Sequence, residues 1–98
     1  MNREFIVAAI RSKEAALKRV GVKSLALVGS SARNTRRDDS DVDVLIEVAD
    51  AATFSLMDRI DVMHALGDRL GRPVDVSRRD TLDPVVRDRM VRDAVRVF

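Results

Sequence analysis

Asp41 and Asp43 stand one residue apart at the start of an apolar run, within a stretch (residues 28–48) that reads VGSSARNTRRDDSDVDVLIEV. On a strand, residues i and i+2 point to the same side, with Cα atoms about 6.5–7 Å apart. Carboxylates leaning together from that spacing can share one or two ions, because paired-metal sites hold their ions about 3.5–4 Å apart. Without a cation the two charges repel, which costs stability. Mg²⁺ suits carboxylate and phosphate oxygens best. Taken alone, two such aspartates more often mark a polar turn entering a strand.

Gly29 and Ser30 precede Asp41 with ten residues between. A glycine directly after an apolar strand lets the backbone turn sharply or approach a ligand closely. The amides that follow, at the start of a short helix, favour anions. A lone Gly-Ser pair is an ordinary strand-to-helix turn. The two halves together, each at the end of a neighbouring strand, point to an enzyme that handles a nucleoside triphosphate with Mg²⁺.

Asp75 is a third candidate carboxylate. It alternates with Val74 and Val76 in a short apolar run. If that strand pairs beside residues 42–48, Asp75 joins the metal cluster and helps to deprotonate an attacking hydroxyl. If it forms a free edge, Asp75 faces solvent. Arg33, Arg36 and Arg37, between the two halves, can neutralise a triphosphate or form a solvated loop. His64, the sole histidine, falls at the edge of a helical apolar stripe and reads as a boundary residue rather than a catalytic base. Met57, Met63 and Met90 read as core.

The elements that must position these residues follow from periodicity. Residues 2–20 place Phe5, Ile6, Ala9, Ile10, Leu17 and Val20 near helical spacing, with Gly21 as a stop. Residues 24–28 form a short buried strand. A short helix begins at Ser30 or Ser31, and either hydroxyl can cap it. Residues 34–40 are a polar, flexible loop.

Residues 42–48 form the second strand, with Val42, Val44, Ile46 and Val48 on one face and Asp41, Asp43, Leu45 and Glu47 on the other. Residues 53–70 form a helix with Leu56, Met57, Ile60, Met63, Leu66 and Leu70 as its stripe. Ser55 and Asp58 resemble a capping box at its start. A third strand spans 74–77. Asp83-Pro84 then opens a last helix that runs to about Val95. Its inward candidates are Val85, Val86, Met90, Val91 and Ala94. The predicted fold is α/β (α+β): a small mixed sheet with helices packed on one face and the other face partly open.

Ninety-eight residues make one small domain, read as residues 1–98. Hydrophobic residues make up 46% of the chain, which is ordinary for a globular domain and argues against disorder. With three Phe and no Trp or Tyr, the chain lacks the stacking aromatics of a single-strand nucleic-acid groove. The formal charge is only +2, and Arg alternates with Asp near the C-terminus. That is the pattern of a solvated helix face, so direct nucleic-acid binding is not expected. There is no Cys, hence no disulfide framework and no thiolate metal site. No apolar run is long enough to span a membrane. The N-terminus carries Glu4 and lacks a signal-peptide pattern. A cytoplasmic protein is expected.

Gly29-Ser30, ten residues, then Asp41-Val42-Asp43 resembles the motif of the nucleotidyltransferase superfamily related to DNA polymerase beta. Short length and the run GSSAR-N resemble the minimal nucleotidyltransferases, often MntA-like antitoxins paired with a HEPN-domain toxin of the HepT type. The resemblance extends through the strand at 73–77 to the apolar pair Val97-Phe98. Many relatives carry Gly where Asn34 stands, and Asn tolerates the left-handed backbone better than most residues.

The resemblance implies roles at matching positions. Gly29, Ser30 and Arg33 would bind nucleotide phosphates. Asp41 and Asp43 would ligate two Mg²⁺, with Asp75 as the third catalytic carboxylate and metal ligand. ATP would be the substrate, and AMP would pass to a tyrosine hydroxyl of the partner toxin. Two other readings stay open. The domain could silence its partner by covering it without catalysis, or the acceptor could be a small molecule or an RNA end. Small-molecule relatives usually carry an added acceptor domain, for which this chain has no room.

Overall fold

The computed structural model describes residues 2–33 and 41–98. The predicted loop at 34–40, with Asn34, Arg36 and Arg37, lies outside the described residues. The elements are α1 (Arg3–Arg11), α2 (Glu14–Val20), β1 (Val22–Leu27), α3 (Gly29–Arg33), β2 (Val42–Val48), α4 (Leu56–Leu70), β3 (Val74–Arg78), a single 3₁₀ turn (Arg79–Thr81), α5 (Pro84–Arg92) and β4 (Val95–Arg96).

The single helix expected over 2–20 is two helices. Asn2 caps the first by accepting from the Phe5 amide. The break falls at Ser12, whose hydroxyl donates to the Ala9 carbonyl. A hydroxyl that bonds its own preceding turn competes with the helical ladder. The bend lets Ile6, Ala9, Ile10 and Leu17 all reach the core. Gly21, at φ +118, ends α2 in the left-handed conformation, as its position predicts.

The sheet order is β3-β2-β1-β4. β1 pairs antiparallel with β2 and with β4, and β2 pairs parallel with β3 across α4. The sheet is therefore mixed. Val42, Val44, Ile46, Leu25, Leu27 and Val76 are buried on one face. They meet Ile6, Ile10 and Leu17 of α1 and α2, and Val62, Leu66 and Leu70 of α4, in one apolar cluster. The other face carries Asp43, Glu47 and Ser24 and is partly open, as the alternation predicts.

Three expectations need correction. The stripe of α4 is rotated: Val62, Leu66 and Leu70 are buried, while Leu56 and Met57 are 68% and 62% exposed. The Ser55–Asp58 capping box does form. It starts the helix in solvent, so the first-turn apolar residues lie outside the core. Of the methionines read as core, Met63 and Met90 are half-buried and Met57 is not buried at all. His64 is exposed.

The last helix stops at Arg92, and Val95 begins a fourth strand. Val97 is the reason: it is 2% exposed and its amide donates to the Leu25 carbonyl, while the Leu25 amide donates to the Phe98 carbonyl, which draws the tail onto the sheet edge. Asp83 and Pro84 cap α5 as predicted. None of the inward candidates of α5 is fully buried, and Val85 is 64% exposed. No helix among the described residues is long and apolar enough to cross a membrane.

Candidate active site

The site begins where β1 ends. The Val28 amide donates to the Asp43 carbonyl at 3.1 Å, so the chain leaves β1 while still paired to β2. Gly29 then takes φ +62, a conformation that L side chains rarely adopt. A Cβ built there would stand 3.1 Å from Asp43 Oδ2. Glycine is thus needed twice: for the turn, and to leave room beside the Asp43 carboxylate.

α3 follows at once. Ser31 is fully buried, and its hydroxyl accepts the Asp43 amide at 3.3 Å. Ser31 therefore ties the turn to the strand that bears the aspartates. Sequence reading treated Ser31 only as an alternative cap. Ser30 is half-buried in the first turn of α3.

Asp43 is half-buried, and Asp41, just before β2, is exposed. Asp75 meets the condition set for it, because β3 lies beside β2 with Asp75 directly opposite Asp43. Neighbouring strands are about 4.8 Å apart and side chains at paired positions share a face, so Asp75 and Asp43 both lie on the open face. Among the described residues, no three carboxylate or histidine side chains are drawn into one cluster that could hold an ion. What the fold supplies is the pairing of Asp43 with Asp75, and Asp41 two residues from Asp43.

The donor chemistry fits Mg²⁺. All three candidates are carboxylates, two of them are exposed, and the missing Cβ of Gly29 leaves one flank of Asp43 clear. Ligation would then be a matter of side-chain rotation rather than of moving strands.

A cleft of about 310 Å³ opens at this corner. Gly29, Arg33 and Asp43 form its sheet side. Val86, Arg89 and Met90 of α5 form the other. That size is at the lower end for small-molecule sites. Three predicted site residues meet here; Ser30, Asp41 and Asp75 are not among its described walls.

The α5 residues were not singled out as functional by sequence. Their signal was the spacing i, i+3, i+4, which puts them on one helix face. Val86 and Met90 do face inward, but toward a cleft rather than a core. Arg89 had read as part of a solvated face. Arg33 also reaches α5, pairing with Asp93 at 3.5 Å with both side chains about half exposed. Further along the chain, Arg78 donates to both carboxylate oxygens of Asp80, and that hydrogen bonding holds the Asp80 carboxyl below its ordinary pKa.

A mixed sheet with a Gly-Ser turn against paired aspartates is the architecture of nucleotidyltransferases, and the comparisons agree. Residues 10–97 match the family described as the nucleotidyltransferase domain. The chain belongs to that family and is an enzyme of the nucleotidyltransferase class.

Among curated relatives, a Methanocaldococcus jannaschii protein assigned by inference as a protein adenylyltransferase is 36% identical over 78 residues, or 80% of this chain and 82% of that one. A solved structure described, also by inference, as a minimal nucleotidyltransferase superposes with a TM-score of 0.85. It is 29% identical and covers 97% of this chain and 95% of its own.

Two complexes share the fold at lower identity. A toxin–antitoxin with AMP-PNP superposes with a TM-score of 0.73 at 22% identity, covering 90% of this chain and 72% of that one. A tri-AMPylated Shewanella oneidensis HEPN toxin with its MNT antitoxin gives 0.67 at 17% identity, over 98% and 71%.

Proposed function

We propose that residues 1–98 act as a single minimal nucleotidyltransferase domain. It transfers AMP from ATP to a protein hydroxyl, that of a tyrosine on a HEPN/HepT-type toxin, and so serves as the antitoxin of a cytoplasmic pair. The observation that carries this reading is the Gly29 turn held against Asp43, with Asp75 in register beside it. The names of the relative and of the two complexes support the acceptor class.

In this reading Gly29 and Ser30 hold the nucleotide phosphates, and Arg33 offsets their charge. Asp41, Asp43 and Asp75 would hold two Mg²⁺ ions, which would neutralise phosphate charge and make the acceptor hydroxyl more acidic. The acceptor oxygen attacks the α-phosphorus in line. A new O–P bond forms as the bond to the β-phosphate oxygen breaks, and pyrophosphate leaves. In this reading Asp75 takes the hydroxyl proton. Most of the rate enhancement comes from positioning and charge stabilisation.

The test uses ATP labelled at the α-phosphate, with Mg²⁺, in a lysate of the native host. Wild type runs beside Asp43→Asn, with γ-labelled ATP as control. A protein band labelled only from the α-position, and only by wild type, is expected. Equal labelling by Asp43→Asn would remove Asp43 from the metal site. No band from a protein that binds Mg-ATP would favour a non-protein acceptor or an antitoxin that works by binding.

A further inference from the structure

The cleft beside Gly29 holds a cation that no assigned role uses. Val86, Arg89 and Met90 turn one face of α5 toward Asp43 and the Gly29 turn. Two arginines line the cleft, and their situations differ. Arg33 is paired with Asp93. Asp93 lies four residues after Arg89 on the same helix side, so the carboxylate nearest to Arg89 in helical spacing is already shared. Among the described residues Arg89 has neither an ion pair nor a hydrogen bond.

An arginine facing a cleft without a counterion is suited to an anion that arrives from solution. The other walls limit which anion. Val28, Val86 and Met90 are apolar, and Asp43 repels negative charge unless a cation intervenes. A phosphorylated ligand that brings its own divalent cation satisfies all three conditions. We propose that Arg89 is a phosphate-binding residue for the triphosphate tail of the nucleotide, supplied by α5 and additional to the Gly29–Ser30 turn. The proposal rests on the nucleotide-handling reading above and deepens it.

Arg87 is the internal control. Two residues away, it lines a different hollow with Glu47 and Arg79 on the far side of α5. A general loss of positive charge from the helix would appear in both variants; loss of a phosphate contact appears in one.

The experiment is calorimetric titration of wild type, Arg89→Ala, Arg89→Lys and Arg87→Ala with ATP and with AMP, each with Mg²⁺. Arg89→Ala is expected to bind ATP about tenfold more weakly, the size of one charge-assisted contact. AMP, which lacks the two outer phosphates, should weaken by less than about twofold on the same reasoning. Arg89→Lys should recover part of the loss, and Arg87→Ala should match wild type.

ATP binding by Arg89→Ala at wild-type strength would overturn the proposal, and so would an equal loss for ATP and AMP. If wild type binds no ATP, both this proposal and the reading beneath it fall. If wild type binds ATP but labels no protein, the protein-acceptor reading falls alone, and the ATP-to-AMP ratio still decides the role of Arg89.

Discussion

Gly29 and Asp43 are pressed together so closely that a single added carbon on the first would stand 3.1 Å from the carboxylate of the second. The contact joins the end of β1 to the strand carrying the aspartates. It makes the turn and the acid one structural unit rather than two motifs that happen to be near each other.

Gly29→Ala should therefore fail in two ways. The residue would be held at φ +62, a cost of about 1–3 kcal/mol for a non-glycine residue. Its methyl would also push the Asp43 side chain. For a domain of this length each kcal/mol lowers Tm by about 4–8 °C. Thermal unfolding should show such a fall together with a loss of nucleotidyl transfer. A variant as stable and as active as wild type would show that the turn can rearrange freely.

Ser31→Ala removes the hydroxyl that accepts the Asp43 amide. The site is buried, so water cannot simply replace it, and the expected cost is about 1–3 kcal/mol. Urea denaturation should show a lower midpoint with an unchanged slope. An unchanged midpoint would mean that this hydrogen bond holds nothing in place.

Asp75→Asn should separate electrostatics from catalysis. Asp75 lies opposite Asp43 in parallel register, and like charges at paired positions destabilise a sheet by roughly 0.2–1 kcal/mol. In EDTA the variant should thus unfold at a slightly higher temperature than wild type. Mg²⁺ should raise the Tm of wild type more than that of the variant, because a bound cation offsets the repulsion. Equal gains from Mg²⁺ would place Asp75 outside the metal site.

Asp80 gives a pH dependence whose sign is fixed. Arg78 donates to its oxygens at 3.0 and 2.7 Å and also lies 5.2 Å from the Phe54 ring centroid, which anchors the guanidinium. Hydrogen bonding from Arg78 holds the Asp80 pKa below its ordinary value. A depressed carboxylate stabilises the fold above its unfolded-state pKa, and that contribution is lost as pH falls through the folded value. Asp80→Asn should be less stable than wild type at neutral pH, and the difference should close on acidification below the ordinary carboxylate range. A gap that stays constant across that range would assign the effect to packing.

The parts legible from sequence were those that neighbours along the chain decide. β2 could be read to the residue because Val42, Val44, Ile46 and Val48 alternate with Asp43, Leu45 and Glu47, and the two acids fix which face is open. The Ser55–Asp58 box, the Asp83-Pro84 start and the left-handed Gly21 follow from rules that act within one helical turn. The break at Ser12 and the rotated face of α4 were hidden, since several apolar residues competed for each inward position and the sheet chose among them.

Sequence by itself determined the chemical inventory: a glycine able to turn, a serine pair, three carboxylates on or next to strands, and a surrounding alternation of helix and strand that can bury one sheet face. Tertiary structure alone decided which of these meet. Asp75 joined Asp43 because β3 pairs parallel with β2. Arg89 came to the cleft because Val97 draws the tail to β1 and brings α5 back across the open face. Such partners are far apart along the chain, and long-range pairing is set by how much apolar surface the whole sheet buries, a quantity that no local spacing encodes.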